Sequence, residues 1–136
     1  MGLIHATCIA LGETGVLIRG PSGSGKSDLA LRLIDGGAQL VADDYCDVNA
    51  DHGRLSATVP ATIAGKIEVR GHGIIALAFR PTVKVGLVVD LMPEAEIARM
   101  PDNTTCVIDG ITLPRLQLNA FAASAAAKVR ILAKAT

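Results

Sequence analysis

Between the apolar run Val16-Leu17-Ile18 and a helix-patterned segment at residues 28–35 lies Gly-Pro-Ser-Gly-Ser-Gly-Lys-Ser, residues 20–27. It fits G-x-x-x-x-G-K-[ST], the phosphate-binding P-loop, at Gly20, Gly25, Lys26 and Ser27. A chance match to those four positions in a chain of this length is on the order of one per cent, and the strand-loop-helix setting lowers it further. The feature constrains the fold strongly. A strand must deliver the loop and a helix must leave it, so that the loop of Gly20, Pro21, Ser22, Gly23, Ser24 and Gly25 turns its N–H groups, which Pro21 lacks, toward an anion. Lys26 then reaches the outer phosphates of a nucleotide and Ser27 offers its hydroxyl to Mg²⁺. The motif does not choose an acceptor, because ATPases, GTPases and kinases all carry it.

A chain of 136 residues, half of them hydrophobic, has room for one domain with a real core, and with 2% aromatic residues that core must be built from Ala, Val, Ile and Leu. Tyr45, Phe79 and Phe121 are the rings on offer to a nucleobase. Thirteen basic residues balance 13 acidic ones, which argues against a dedicated nucleic-acid binder. Cys8, Cys46 and Cys106 are widely spaced and lack a C-x-x-C pair, so they read as small hydrophobes in a reducing compartment. The start lacks the basic residues of a secretory signal, and no apolar run reaches membrane-span length. The expectation is a cytoplasmic protein without a membrane or nucleic-acid partner.

Along the chain, residues 3–11 and 15–18 read as strands flanking Gly-Glu-Thr-Gly, and Leu29, Ala30, Leu33 and Ile34 repeat at helical spacing before Gly36-Gly37. Residues 39–42 form a short strand expected beside the P-loop strand. Residues 45–48 and 54–59 suggest a hairpin around a loop at 49–53, while 74–79 and 83–91 look like strands buried on both faces. Residues 93–100 suggest a short helix entered at Pro93. Asp109-Gly110 marks a two-residue hairpin between 105–108 and 111–113. An Ala-rich helix spans 119–135, with Leu118, Phe121, Ala122, Ala125, Val129 and Leu132 as its expected buried stripe.

An acceptor hydroxyl needs a base, and a carboxylate at the carboxyl end of a strand near the P-loop strand is where an α/β sheet presents one. Asp43 and Asp44 both qualify, and as neighbours they could share a proton. The alternative is that either merely turns the chain. Asp90, closing the apolar run at 83–91, fits a Walker B metal ligand. Glu68 precedes Arg70-Gly71-His72-Gly73, where backbone can approach a ligand closely. By itself it reads as a solvated side chain, and His5 and His52 read as structural histidines.

These residues together resemble the catalytic domain of HPr kinase/phosphorylase. The matching blocks are His5, the loop at 20–27, Leu-Val-Ala-Asp-Asp at 40–44, Ile-Glu-Val-Arg-Gly-His-Gly-Ile at 67–74, Arg99, and Leu-Pro-Arg at 113–115. The resemblance implies a P-loop kinase fold like that of PEP carboxykinase, α/β, with a central mainly parallel sheet plus antiparallel strands. It implies an enzyme that uses ATP and Mg²⁺ to phosphorylate a serine of an HPr-like phosphocarrier protein, with phosphorolysis to pyrophosphate as the reverse reaction. Carried over, Lys26 engages the transferred group, Ser27 and Glu68 hold the metal, Asp44 is the base, and His5 and Arg99 are further active-site residues. The family forms ring-shaped homo-oligomers, hexamers among them.

The chain departs from the family pattern in three places. It reads as a compact catalytic core with His5 almost at its start. Residues 113–119 keep only part of the arginine-rich stretch tied to dephosphorylation. The segment between Phe79 and Val83 is short. Two rivals stand beside the protein-kinase reading: a small-molecule kinase, and a nucleotide-dependent regulatory module without transfer.

Overall fold

The computed structural model describes residues 2–135. The chain runs β1 (Gly2–His5), β2 (Thr7–Leu11), β3 (Thr14–Arg19), α1 (Lys26–Asp35), β4 (Gln39–Ala42), β5 (Tyr45–Asp51), β6 (Arg54–Thr58), β7 (Lys66–Val69), β8 (Gly73–Ala76), β9 (Thr82–Leu91), β10 (Thr105–Ile108), β11 (Ile111–Leu118) and α2 (Ala125–Lys134). Short 3₁₀ turns occur at Ala61–Ile63 and Glu94–Glu96.

The centre of the nine-stranded sheet is parallel: β3 and β11 both pair with β9 in that sense. Antiparallel strands surround this centre. The mixed α/β sheet agrees with the expected architecture, with its parallel ladders confined to those two pairs. One adjacency differs from expectation. β4 pairs with β2, which lies between it and the P-loop strand β3. Since β2 is antiparallel to both, β4 still runs parallel to β3, so residues after both strands emerge at the same sheet edge.

β1 and β2 are one strand-patterned segment broken at Ala6, and β4 and β5 are separated only by Asp43-Asp44. β2 pairs with β4 while β1 pairs with β5, so both segments bend together and carry the sheet around a corner. Alternation then serves two cores. Ile9, Val16, Ile18, Leu87 and Val89 face α1 and α2, where Leu29, Leu33, Ala125 and Val129 meet them. Cys8, Leu17, Cys46, Leu55, Val83, Val85 and Val88 fill the inside of the bent sheet. Val85 and Leu87 can face different cores because the β3–β9 register slips at Gly15/Val16, where Val85 and Leu87 are successive partners and Gly86 is skipped.

Several sequence expectations shift. The hairpin after β4 closes more tightly than expected, through His52-Gly53 with φ of 53° and 74°, the signs that a type I′ turn requires. Asp109-Gly110, with φ of 51° and 81°, closes β10–β11 in the same way, as its sequence indicated. Residues 74–79 are not a strand buried on both faces, because β8 pairs only with β7 and Ile74 is exposed. Residues 93–100 shorten to a single 3₁₀ turn, since they have no apolar stripe to bury. α2 starts only at Ala125, because Asn119 Oδ1 accepts the Phe121 N–H and turns the chain first. Its buried face is Ala125, Val129 and Ala133, with Phe121 and Leu132 outside it. No helix among the described residues is long and apolar enough to cross a membrane.

Candidate active site

At the end of β3 the chain turns through the glycine-rich loop into α1. Gly20 has no room for a side chain, since a Cβ there would lie 2.5 Å from Ser24 Oγ. Gly25 caps α1 at φ 96°, in the left-handed region that glycine adopts without penalty. Lys26 is nearly buried, and its Nζ donates to Gly20 O at 2.8 Å and Pro21 O at 3.2 Å. The ammonium is thereby held over the loop whose N–H groups and helix terminus form an anion site. The Ser24 hydroxyl is buried there without a hydrogen-bond partner, a donor suited to a phosphate oxygen.

Ser27, one residue on, donates its hydroxyl to Asp43 Oδ1 at 2.6 Å. Asp43 does more than turn the chain, because its carboxylate is a hub. Its Oδ1 also accepts the Thr7 hydroxyl at 3.1 Å, and its Oδ2 accepts the backbone N–H of Glu68 at 3.1 Å. One buried carboxylate therefore joins β2, the P-loop helix and β7. A Ser27 hydroxyl that donates to Asp43 presents its lone pairs outward, as a hard cation requires.

Asp44 points elsewhere. Its φ of 73° and the Tyr45 N–H bond to Asp43 O at 2.9 Å close a γ-turn, a strained conformation that Asp tolerates better than most residues. The Thr7 hydroxyl anchors the turn by accepting the Asp44 N–H at 3.1 Å. The turn swings the Asp44 carboxylate outward to His5 Nε2 at 2.7 Å, with the Tyr45 ring centroid 5.2 Å from the imidazole. The two aspartates thus have separate partners and do not face each other as a proton-sharing pair.

A cavity of about 620 Å³ joins these parts, lined by the P-loop, Asp43, Asp44, Glu68 and Arg70 among others. The residues fit Mg²⁺ by donor chemistry. Ser27 Oγ, with the Asp43 and Glu68 carboxylates nearby, is an all-oxygen set of the sparse kind that Mg²⁺ uses when phosphates and water complete its shell. Among the described residues no cluster of three or more His, Cys, Asp or Glu makes an all-protein metal cage.

Two other residues lie apart. Arg99 sits in the exposed segment after the Glu94–Glu96 turn and does not line the cavity. Asp90, near the end of β9, is gripped by Arg19 at 2.7 and 2.9 Å and by Arg115 at 2.5 Å. Burial works against its charge, but the hydrogen bonds and charges of Arg19 and Arg115 outweigh it and hold the carboxyl below the ordinary aspartate range. Its oxygens are committed to guanidinium groups, which sets it apart from a metal ligand.

Sequence reasoning weighed Asp43 as a carboxylate but left it out of the site, considered Tyr45 only as a ring for a nucleobase, and left out Thr7 entirely. For Asp43 a signal existed: the apolar strand at 39–42 closes on it as a Walker B strand closes on Asp. For Thr7 none did, because its role depends on β2 pairing with β4.

A P-loop between a parallel-sheet strand and a helix, faced by carboxylates from the next strand emerging at the same edge, defines the P-loop kinase class of α/β fold. Comparison with known proteins narrows it. The sequence profile of the HPr Serine kinase C-terminal domain matches residues 2–129. Proteins named HPr kinase/phosphorylase are similar over 85% of the chain, at 34% identity in Limosilactobacillus reuteri (strain DSM 20016) and 35% in Geobacillus thermodenitrificans. The chain spans 40% and 41% of the length of those relatives. A solved structure described as the Hpr(Ser) kinase/phosphatase from Coxiella burnetii superposes with a TM-score of 0.86 at 29% identity, covering 99% of this chain and 95% of that one. This chain belongs to the HPr serine kinase C-terminal domain family.

Proposed function

We propose that the chain is an ATP- and Mg²⁺-dependent protein serine kinase for an HPr-like phosphocarrier protein, working as one catalytic unit over residues 1–136. The observation that carries the reading is the Asp44–His5 pair at the open rim of a cavity floored by the P-loop. Asp44 keeps 57% of its side chain exposed, a placement suited to a serine presented on the surface of another protein. A pocket for a small metabolite would enclose its base, which is why the protein acceptor is favoured over the small-molecule rival.

In this reading the P-loop N–H groups and Lys26 hold the β- and γ-phosphates, and Ser27 and Glu68 hold Mg²⁺, with Asp43 orienting the Ser27 hydroxyl. Bound there, Mg²⁺ supplies charge neutralisation on the phosphate oxygens. Asp44 accepts the proton of the acceptor serine as its oxygen attacks the γ-phosphorus, and the bond from that phosphorus to the β–γ bridging oxygen breaks to release ADP. His5 fixes the orientation of Asp44. Run backward with inorganic phosphate as the nucleophile, a protonated Asp44 returns the proton to the serine oxygen and pyrophosphate leaves. Arg99 joins the site by family resemblance, and a homo-oligomer, hexameric in the family pattern, in the cytoplasm is the expected working form.

The test offers γ-labelled ATP with purified HPr-like protein in one arm and a metabolite pool in the other. Label should pass to a serine of the protein. Lys26→Ala should slow that transfer by about 10³-fold or more while circular dichroism stays native. Label appearing only in metabolites would establish the small-molecule reading, and label appearing in neither would establish the regulatory module.

A further inference from the structure

The chain has one Tyr, two Phe and no Trp. Of its three rings only Phe121 lines the cavity that holds the P-loop. It does so while 67% exposed, as several large apolar side chains of this chain are, but it is the one aromatic ring that borders the P-loop cavity. Its position is also fixed from several sides. The Phe121 N–H is held by Asn119 Oδ1 at 3.1 Å, the neighbouring Ala120 carbonyl accepts a hydrogen bond from Arg32 of α1, and the Met92 N–H holds Leu118 O at 2.9 Å. The ring lies directly against the loop. A Cβ built on Gly25 would stand 3.1 and 3.2 Å from its Cζ and Cε1 atoms, and 2.9 Å from Ala120 Cβ. A side chain at position 25 would push the ring away.

The sheet order fixes what this ring can meet. Asp43 and Asp44 follow β4, on one side of the P-loop strand, and they mark the reacting end of a bound triphosphate. β11, which delivers Phe121, lies beyond β9 on the other side. With the phosphates in the loop between, the nucleoside end leaves toward Phe121. We infer that Phe121 is the platform on which the nucleobase stacks, a residue that distinguishes a nucleotide from bare polyphosphate by ring face. The inference rests on the nucleotide-binding reading of the loop. Stacking uses the π-face, which adenine and guanine share, so the platform favours nucleotides over bare polyphosphate without choosing between the two purines.

Calorimetric titration in Mg²⁺ with ATP, GTP and inorganic tripolyphosphate tests it, on wild type, Phe121→Ala and Phe121→Trp. The alanine variant should bind ATP and GTP about tenfold more weakly, and tripolyphosphate within about twofold of wild type. The tryptophan variant should keep nucleotide affinity, and its indole, the only one in the chain, should be quenched by ATP but not by tripolyphosphate. Unchanged ATP affinity in Phe121→Ala, or an equal loss of tripolyphosphate, overturns the platform and leaves the P-loop reading standing. A wild type that binds neither ATP nor tripolyphosphate overturns both.

Discussion

Asp43-Asp44 and Asp90 stand at the same edge of one sheet, near the carboxyl ends of strands that run parallel, yet their surroundings are opposite in kind. Asp90 is closed in by two guanidinium groups, from β3 and β11. Asp43 receives only neutral donors, two hydroxyls and a backbone N–H, and Asp44 reaches an imidazole at the surface. A carboxylate paired with arginines has its charge answered inside the protein, and it acts as a rivet between strands. One surrounded by neutral donors is oriented without being neutralised, which leaves its charge for a metal ion or a proton. The apolar strand before each carboxylate is similar, so the difference lies wholly in what the neighbouring strands bring.

The sharpest way to break this comparison is Asp44→Asn. Asparagine tolerates the positive φ, so stability should stay within about 0.5 kcal/mol of wild type. ATP affinity should change little, while single-turnover transfer to an HPr-like protein should fall by about 10² to 10⁴. An Asp44 variant as fast as wild type beside a dead Asp43 variant would reverse the two roles.

Asp43→Asn should act on both stability and cation use. The amide replaces one acceptor oxygen with a donor facing hydroxyls and a backbone N–H, at a cost of about 1–3 kcal/mol in urea unfolding. The Mg²⁺ concentration for half-maximal transfer should rise about 10- to 100-fold, since Ser27 loses the group that orients it. A variant with normal Mg²⁺ dependence would make Asp43 a structural hub only.

The smallest effect on chemistry is expected from Asp90→Asn. Loss of the partly buried rivet should cost about 1–2 kcal/mol, with transfer within about twofold of wild type. The pH dependence has a definite sign. The folded Asp90 carboxyl titrates below its unfolded value near 3.9, so its contribution is complete above that value and is lost as pH falls through the lower folded one. The stability gap between wild type and Asp90→Asn should therefore be flat near neutrality and close in acid. Activity lost with stability retained would restore Asp90 as a metal ligand.

What could be read without coordinates was local or motif-bound. Gly20, Gly25, Lys26 and Ser27 act through the backbone of one short loop, and their spacing alone carries the chemistry. The Asp109-Gly110 turn and the apolar run of β9 were legible for the same reason, because turn stereochemistry and burial are written in adjacent residues. His5 had no local signal and Glu68 only the glycine-containing stretch that follows it, and both were placed in the site through resemblance to a family. What tertiary structure alone decided are the encounters between distant segments: His5 with Asp44 across 39 residues, Thr7 with Asp43 across 36, and Arg19 with Asp90 across 71. Each depends on which strand lies beside which, and side-chain alternation along a strand is the same whichever neighbour it pairs with. Placing β2 between β3 and β4, bending two strand segments at Ala6 and at Asp43-Asp44, and setting Phe121 against Gly25 are outcomes of packing two cores at once, and no short stretch of sequence contains that information.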